Sequence, residues 1–302
     1  MRIGLIGLGK MGMSLTERLL AGKHEVVVFD LLQPNVYQME SGGAIGAESI
    51  EELVGKLSPP RVIWLMLPIG DPVDTTVEIL SDMLSAGDIV IDGGNTFYKD
   101  DLHRAEELKK KGVRYIDAGV SGGIWGVREG FCIMLGGDSE DVNNIAPILQ
   151  SLAGKDGYAY CGPTGAGHFV KMIHNGIEYA LMEAYGEGFE LLKASPYHEY
   201  YKLDEIANLW NHGSVIRSWL LSLVESAFRN DPDMDSIEGY VDDTGMGRWT
   251  VEEAVRLGVS APAIAGALFK RFQSRQVDVF SDKVIAGLRR EFGGHAVQYK
   301  ER

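Results

Sequence analysis

A glycine-rich turn near the amino terminus constrains the fold of this chain more than any other feature. Residues 7–12 read Gly-Leu-Gly-Lys-Met-Gly, and they lie between an apolar run at residues 2–6 and a helical pattern at residues 13–21. A second apolar run, residues 25–30, ends in Asp30. A strand, a GxGxxG turn, a helix and an acidic residue about 20 positions further on form the dinucleotide-binding fingerprint. In this context we favour that interpretation over an ordinary strand-to-helix turn.

Each glycine of the turn has a physical task in that fingerprint. Gly7 makes the tight turn, Gly9 lets backbone N–H groups approach a pyrophosphate, and Gly12 lets the helix pack closely on the strand. The helix amino terminus adds partial positive charge for the phosphates. The predicted cofactor-binding residues of the loop are Gly7, Leu8, Gly9, Lys10, Met11 and Gly12.

The residue at the end of the second strand predicts which dinucleotide binds. Asp30 can accept hydrogen bonds from both adenosine ribose hydroxyls, and its charge repels a 2′-phosphate. The residues that follow, 31–33, are Leu-Leu-Gln, so no arginine stands there to hold a 2′-phosphate. We therefore predict NAD rather than NADP as the cofactor.

Strand-like and helical segments alternate over the first half of the chain. The apolar, β-rich runs cover residues 2–9, 25–30, 61–68, 88–94, 114–123 and 131–137. Helical periodicity takes over later, at roughly 164–193, 203–229, 249–256 and 261–275. Such alternation is typical of βαβ units around a parallel sheet. We predict an α/β chain, with a Rossmann-type, doubly wound, mostly parallel sheet at residues 1–163 and an all-α second domain at 164–302 that ends in a polar tail.

Composition and charge exclude several classes of function. The net charge of -14 disfavours non-specific binding to nucleic acid or anionic membranes. The sequence contains no run of about 18 apolar residues, so we predict no membrane span. Only two cysteines occur, Cys132 and Cys161, and no pair of histidines accompanies them. This favours a reducing, cytoplasmic location over a disulfide framework, and it argues against a zinc site.

A cluster of polar residues interrupts the first long helical pattern. Residues 171–179 read Lys-Met-Ile-His-Asn-Gly-Ile-Glu-Tyr. At about 100° per residue, Lys171, His174, Asn175 and Glu178 lie on one side of a helix, with apolar residues in the other directions. Charged groups on a largely buried helix are costly unless they are paired or bind a ligand. We interpret this face as a functional site; the alternative is a solvated face with a Lys171–Glu178 pair.

The same nine residues resemble the signature of the 6-phosphogluconate dehydrogenase family. The similarity extends over nearly the whole chain, through IDGGNTFY at 91–98, DAGVSGG at 117–123, TGMGRWT at 244–250, FKRFQSR at 269–275 and REFGGH at 290–295. Its length resembles the short, NAD-dependent, decarboxylating form of the family. The resemblance implies oxidation and decarboxylation of 6-phosphogluconate to ribulose 5-phosphate, with Lys171 as general base and Glu178 as the acid that protonates C1. It implies no metal.

The resemblance also implies the substrate-binding residues. These are Asn95, Ser121, Gly122, Gly123, His174, Asn175, Tyr179, Arg248, Thr250, Arg271, Arg289 and His295. Among them, Tyr179, Arg248, Thr250 and Arg271 match phosphate-binding positions. Arg289 and His295 match tail residues that reach into a neighbouring subunit, which implies a homodimer or a dimer of dimers. Met11, Leu67, Pro68 and Asn95 are expected to line the cofactor pocket, although Met11 suits the core equally well.

Two departures from the longer form of the family accompany this resemblance. Arg248 stands where that form commonly has lysine, and Ile124 and Trp125 follow the Ser-Gly-Gly loop in place of acidic residues. A related β-hydroxyacid dehydrogenase, acting on 3-hydroxyisobutyrate or tartronate semialdehyde, is the nearest alternative. It shares the glycine fingerprint and the helix lysine but has no need of a phosphate pocket. A non-catalytic NAD-binding protein is a further alternative, and the acid–base pair on one helix argues against it.

Overall fold

The computed structural model of the chain describes residues 1–294 and 296–298, except for the side chain of Phe292. The chain divides into two compact units, Met1–Asn175 and Gly176–Arg302. This division lies inside a long helix and therefore after the boundary predicted at 163/164, which stays a prediction. No helix of the described residues is long and apolar enough to span a bilayer.

The first unit is built around one eight-stranded sheet. Its strands are β1 (Arg2–Ile6), β2 (Glu25–Phe29), β3 (Ile45–Gly46), β4 (Val62–Leu65), β5 (Ile89–Asp92), β6 (Arg114–Ser121), β7 (Cys132–Gly136) and β8 (Tyr158–Gly162). They lie in the order β3-β2-β1-β4-β5-β6-β7-β8. All neighbouring pairs are parallel except β6 and β7, which are antiparallel. The first six positions of this order follow the dinucleotide-binding arrangement.

Helices cover both faces of this sheet. They are α1 (Lys10–Ala21), α2 (Gln33–Ser41), α3 (Ile50–Gly55), α4 (Asp71–Met83), α5 (Tyr98–Lys109), α6 (Gly126–Glu129), α7 (Ser139–Asn144) and α8 (Ala146–Ala153). Successive strand residues alternate between two apolar cores: Val26 and Val28 join one, and Val27 joins the other. A parallel sheet buried on both faces explains why its strands appear in the sequence as continuous apolar runs.

The second unit consists of helices. The long helix α9 (Ala166–Ala194) crosses the division between the units, and it is followed by α10 (Leu203–Asn211), α11 (Trp219–Asn230), α12 (Met246–Leu257), α13 (Pro262–Gln273) and α14 (Phe280–Gly293). Phe189, Ala207, Leu221 and Phe228 form one buried cluster of this unit. The predicted fold class, a doubly wound sheet followed by helices, is confirmed.

Three details differ from the prediction. The segment 203–229 is two helices, because Gly213 adopts a positive φ of 88° and Ser218 caps α11 through the N–H of Leu221. The predicted tail from residue 289 begins inside α14, since helical residues continue to Gly293. Two further strands, β3 and β8, were missed because β3 has two residues and no residue of β8 is fully buried, so neither leaves a periodic apolar signal.

Candidate functional site

The glycine-rich turn has the backbone geometry that its sequence predicts. Gly7 has a φ of 96°, and a Cβ at this position would overlap the carbonyl oxygen of Met66. A Cβ at Gly12, in the first turn of α1, would overlap the carbonyl oxygen of Gly7. The turn and the close approach of α1 to β1 therefore both require glycine.

Gly9 differs from these two glycines. A Cβ at Gly9 would meet no heavy atom of the described residues within 4 Å, so packing within the chain does not demand glycine here. Gly9 instead borders a cavity of about 1060 Å³ at the carboxyl ends of β1, β2, β4 and β5. Open parallel sheets bind ligands at this edge. The predicted cofactor residues that line the cavity are Gly7, Gly9, Lys10, Met11, Gly12, Asp30, Leu67, Pro68 and Asn95.

Leu8 is the predicted cofactor residue that does not line this cavity. Its side chain is fully buried, and its backbone N–H donates to Asp30 Oδ2 at 2.5 Å. The other carboxylate oxygen of Asp30 accepts from the N–H of Leu32 at 2.8 Å and from Asn35 Nδ2 at 3.4 Å. Asp30 therefore joins the glycine turn to the end of β2. Leu31 and Leu32 beside it are 88% and 63% exposed, so the surface that would face a 2′-phosphate is apolar.

Several cavity residues were not predicted from the sequence. They include Asn35, Asp71, Thr75, Thr76, Gly93 and Gly94. A signal for some of them was present, because Gly93 and Gly94 directly follow β5, as the glycine turn follows β1. Asn35 and the threonines lie on α2 and α4, and which side of these helices faces the cavity depends on the order of the strands in the sheet.

Lys171 lies in α9 and is 5% exposed. Gly119 of β6 makes room for it, because a Cβ at Gly119 would overlap Lys171 Cβ. The next strand residue, Val120, lines the large cavity. Lys171 is thus a buried lysine beside the strand that borders the predicted NAD site, and it does not point into bulk solvent.

The Ser-Gly-Gly loop lies near the same helix. Ser121 Oγ is 3.4 Å from His174 Nε2, and His174 Nδ1 is 3.0 Å from Asn175 Oδ1. Gly122 and Gly123 both have positive φ angles, 127° and 54°, which favour glycine. The first unit therefore brings together the predicted substrate residues Ser121, His174 and Asn175.

A different part of α9 is less buried than the sequence suggested. The helix was expected to be largely buried, yet its apolar residues Val170, Ile177 and Leu181 are 40%, 50% and 46% exposed. The buried side of α9 is therefore a different one, and it includes Lys171.

The second unit gathers three of the predicted phosphate-binding residues. The guanidinium of Arg271 lies 3.4 Å from the centroid of the Tyr179 ring, and Arg271 also donates to the carbonyl oxygen of Asp242 at 2.8 Å. The Tyr179 hydroxyl is 3.3 Å from Thr244 Oγ1. Arg248 is held by Asp243 through a hydrogen bond of 2.6 Å. These contacts orient both arginines and leave part of each guanidinium exposed.

The remaining predicted residues have different surroundings. Thr250 is 3% exposed, and its hydroxyl donates to the carbonyl oxygen of Met246 at 2.9 Å. Glu178 is half-buried on α9, and Arg289 is exposed on α14. His295 lies outside the described residues, so its predicted role stays a prediction.

A buried polar network at the start of α9 was not predicted. Asp117 of β6 is fully buried and accepts the backbone N–H groups of Gly165 at 2.7 Å and His168 at 2.9 Å. His168, also fully buried, places Nδ1 2.8 Å from Asp101 Oδ2 of α5. His168 Nε2 has no hydrogen-bond partner among the described residues. A buried polar atom without a hydrogen-bond partner lowers the stability of the folded state by about 1–3 kcal/mol, so His168 is less favourable here than an apolar side chain of similar size.

The charges of this pair follow from its surroundings. Burial raises the pKa of Asp101 to about 6, against the opposing effect of His168. Burial alone would lower the pKa of His168, but the Asp101 carboxylate, with Asp92 and Asp117, raises it to about 9. Near neutral pH, Asp101 is therefore ionised and His168 is protonated, and the two form a buried ion pair.

The network continues from Asp101 to the end of β5. Tyr115 donates its hydroxyl to Asp101 Oδ1 at 2.8 Å and lies 3.3 Å from Asp92 Oδ2. Asp92 accepts the N–H of Gly94 at 3.0 Å and pairs with Arg104 at 3.2 Å. Ligand atoms of Asp92, Asp101 and His168 lie within 4.8 Å of one another, close enough for a metal. The Arg104 cation and the hydrogen bond within the pair favour an ion-pair network instead.

Family comparisons assign both halves of the chain. Residues 2–162 match the family described as the NAD binding domain of 6-phosphogluconate dehydrogenase. Residues 167–295 match the family described as the 6-phosphogluconate dehydrogenase C-terminal domain.

Individual relatives agree with this assignment. A Haloferax volcanii protein named as an NAD(+)-dependent, decarboxylating 6-phosphogluconate dehydrogenase is 43% identical over 100% of both chains. The solved 6-phosphogluconate dehydrogenase of Plasmodium falciparum superposes with a TM-score of 0.82 at 28% identity, covering 100% of this chain and 67% of that one. A Mycobacterium tuberculosis 3-hydroxyisobutyrate dehydrogenase, 21% identical with a TM-score of 0.71 over 95% of this chain and 99% of its own, shares the fold alone. The chain therefore belongs to the 6-phosphogluconate dehydrogenase family.

Proposed function

We propose that this chain catalyses the oxidative decarboxylation of 6-phosphogluconate to ribulose 5-phosphate and CO₂, with NAD as the oxidant. Membership of the family and the full-length match to an NAD(+)-dependent, decarboxylating relative support this function. The structural observation that carries it is a lysine, Lys171, buried against β6 beside the cavity that the glycine turn borders.

The residues around the cavity fit an NAD molecule. Gly9 leaves open space for a pyrophosphate at the start of α1, and Asp30 presents a carboxylate at the end of β2. NAD, when bound, supplies the acceptor for the hydride from C3 of the substrate. The apolar side chains of Met11, Leu67 and Pro68 line the same cavity and give it an apolar wall.

Lys171 acts first as general base. Its neutral Nζ accepts the proton of the C3 hydroxyl as that carbon is oxidised. Ser121, His174 and Asn175 hold the carboxylate and the reacting hydroxyls by hydrogen bonds.

The second stage removes the carboxyl group. The Lys171 ammonium, now protonated, donates to the C3 carbonyl oxygen, so the electron pair released from the C1–C2 bond of the β-keto acid is drawn toward that oxygen. CO₂ leaves, and an enediol of the five-carbon sugar remains. Glu178 then gives a proton to its terminal carbon while Lys171 takes back the proton of the enol hydroxyl, which yields ribulose 5-phosphate. Opposite proton-transfer tasks are thereby divided between Lys171 and Glu178, both on α9.

A kinetic comparison of substrates tests this proposal. NADH formation with 6-phosphogluconate should far exceed that with gluconate or 3-hydroxyisobutyrate, since a phosphate anchor and a carboxylate are both recognised. CO₂ release should match NADH formation in amount. Activity on 3-hydroxyisobutyrate alone would favour the related dehydrogenase, and no turnover of any of the three would favour a non-catalytic NAD-binding protein.

Asp30→Ala should weaken the preference for NAD over NADP. The substitution removes the carboxylate that repels a 2′-phosphate and that accepts from the ribose hydroxyls. The ratio of kcat/KM values for the two cofactors is the measurement. Because Asp30 also accepts the N–H groups of Leu8 and Leu32, Asp30→Asn is the matched variant: it keeps an acceptor and loses the charge. An unchanged ratio in both variants would refute the role of Asp30.

Arg271→Ala should raise KM for 6-phosphogluconate by about 10- to 100-fold, since a charged hydrogen bond is worth about 1.5–3 kcal/mol. Steady-state kinetics at saturating NAD provide the measurement. Arg275→Ala is the control, because Arg275 is a cation two residues after the same helix, and its guanidinium lies 5.5 Å from the Phe272 ring centroid. A large fall in kcat with unchanged KM for Arg271→Ala would speak against an anchoring role.

A second copy of the chain is proposed as the partner of the helical unit. Large apolar side chains of this unit are exposed, among them Leu191, Val215, Val255 and Phe280. Exposed apolar side chains mark an interaction surface where they form a contiguous patch. A homodimer or a dimer of dimers would cover them, with Arg289 and the tail completing the neighbour's site.

Cys132 and Cys161 are both free, which suits a reducing, cytoplasmic location.

A further inference from the structure

The first turn of α9 is tied to the sheet by a buried carboxylate. Asp117 of β6 accepts the N–H groups of Gly165 and His168 through its two oxygens. A carboxylate at a helix amino terminus satisfies N–H groups that the helix itself leaves open. A Cβ at Gly167 would overlap the carbonyl oxygen of Met134 in β7, so the turn also packs closely on the neighbouring strand.

His168 extends this anchorage to α5 and to the cavity. Its Nδ1 lies 2.8 Å from Asp101, whose other oxygen accepts from Tyr115. Tyr115 in turn lies 3.3 Å from Asp92 Oδ2, and Asp92 accepts the N–H of Gly94. Gly94 and the adjacent Asn95 both line the cavity that we assign to NAD. A continuous series of buried polar contacts therefore connects the cavity wall to the first turn of α9.

We infer that His168 is a positioning residue for the reaction: paired with Asp101, it holds the first turn of α9 so that Lys171 stays in register with the Gly94–Asn95 segment of the cavity. This inference rests on the proposed role of Lys171 as general base. His168 itself touches neither substrate nor cofactor in this scheme.

Helix geometry connects the pair to the lysine. His168 and Lys171 are three residues apart, so Lys171 lies about one turn further along the same helix. Lys171 Cβ packs closely against Gly119 of β6, so a shift of the first turn of α9 would move Lys171 relative to that strand. Misplacing a catalytic group by about 1 Å can cost on the order of 10²-fold in rate.

The test compares two variants of His168 with a matched histidine. His168→Leu fills the space but cannot bond Asp101, whereas His168→Gln keeps a donor without the charge. His24→Leu is the control, because His24 is also buried in the first unit and lies 2.8 Å from Ser151, on α8. For each protein, kcat, the KM for 6-phosphogluconate, the Kd of NADH and the thermal midpoint are measured.

His168→Leu is expected to lower kcat about 10²-fold while the Kd of NADH changes less than about threefold. His168→Gln should fall between His168→Leu and the wild type, and His24→Leu should lose thermal stability with kcat unchanged. The inference is overturned if both His168 variants keep the wild-type kcat, or if kcat follows the thermal midpoint equally in the His24 and His168 variants. If His168→Leu does not fold, the kcat of His168→Gln decides: a loss supports the inference and a wild-type value overturns it. A wild-type protein without turnover on 6-phosphogluconate would instead overturn the proposed function.

Discussion

Lys171→Met is expected to lower kcat for 6-phosphogluconate by about 10²–10⁴-fold, the range of a lost general acid–base group. Methionine has a similar length and no proton to exchange, so the buried space is filled while the chemistry is removed. The affinity for NAD should be nearly unchanged, because the cavity residues that we assign to the cofactor do not include Lys171. Single-turnover absorbance of NADH gives the rate, and fluorescence titration with NADH gives the affinity.

Two further variants show whether Lys171 serves as a base or only as a cation. Lys171→Arg keeps the charge but cannot deprotonate in a protein, so it should be as inactive as the methionine variant. Lys193→Met removes an exposed lysine from the same helix and should keep the wild-type kcat. Recovery of activity in Lys171→Arg, or loss of NADH binding in Lys171→Met, would contradict the proposed role.

Gly9→Ala is expected to weaken NAD binding by about 10- to 100-fold, equivalent to about 1.4–2.8 kcal/mol. Gly9 has φ -66° and ψ -175°, which alanine also adopts, and its Cβ would meet no described atom within 4 Å. The folded chain should therefore keep its thermal midpoint, while the methyl group occupies the space that a pyrophosphate needs. Calorimetric titration with NAD and thermal unfolding without it are the two measurements.

Two other glycines provide the comparison for Gly9. Gly55→Ala, at the end of α3, also meets no described atom within 4 Å and should leave NAD affinity unchanged. Gly12→Ala should lower both affinity and thermal stability, because its Cβ overlaps the carbonyl oxygen of Gly7. Unchanged NAD affinity in Gly9→Ala would show that the cofactor does not approach the turn at this residue.

The local parts of the cofactor site could be predicted from sequence because each depends on short spacing. The glycine turn, the strand before it and Asp30 at the end of the next strand lie within 30 residues of one another. Steric limits on glycine backbones and the two periodicities of strands and helices operate over such distances. The structure places nine of the ten predicted cofactor residues on one cavity, and Leu8 behind it.

The family resemblance supplied the reaction and the substrate, which periodicity alone could not. Polar residues on one helix side indicate a site, but their chemistry depends on what faces them. Roles such as those of Lys171, Glu178 and Arg271 remain predictions until the variants above are measured.

The amino-acid sequence by itself determined the fold class, the cofactor-binding turn and the helix that carries Lys171, because these follow from local backbone sterics and apolar periodicity. Only the tertiary structure decided that Gly119 makes room for Lys171 and that Asp117, His168 and Asp101 meet at the start of α9. Those residues come from β6, α9 and α5, up to 67 positions apart in the chain. Ion pairing between them depends on burial and distance in space, and neither quantity is encoded in the spacing of residues along the sequence.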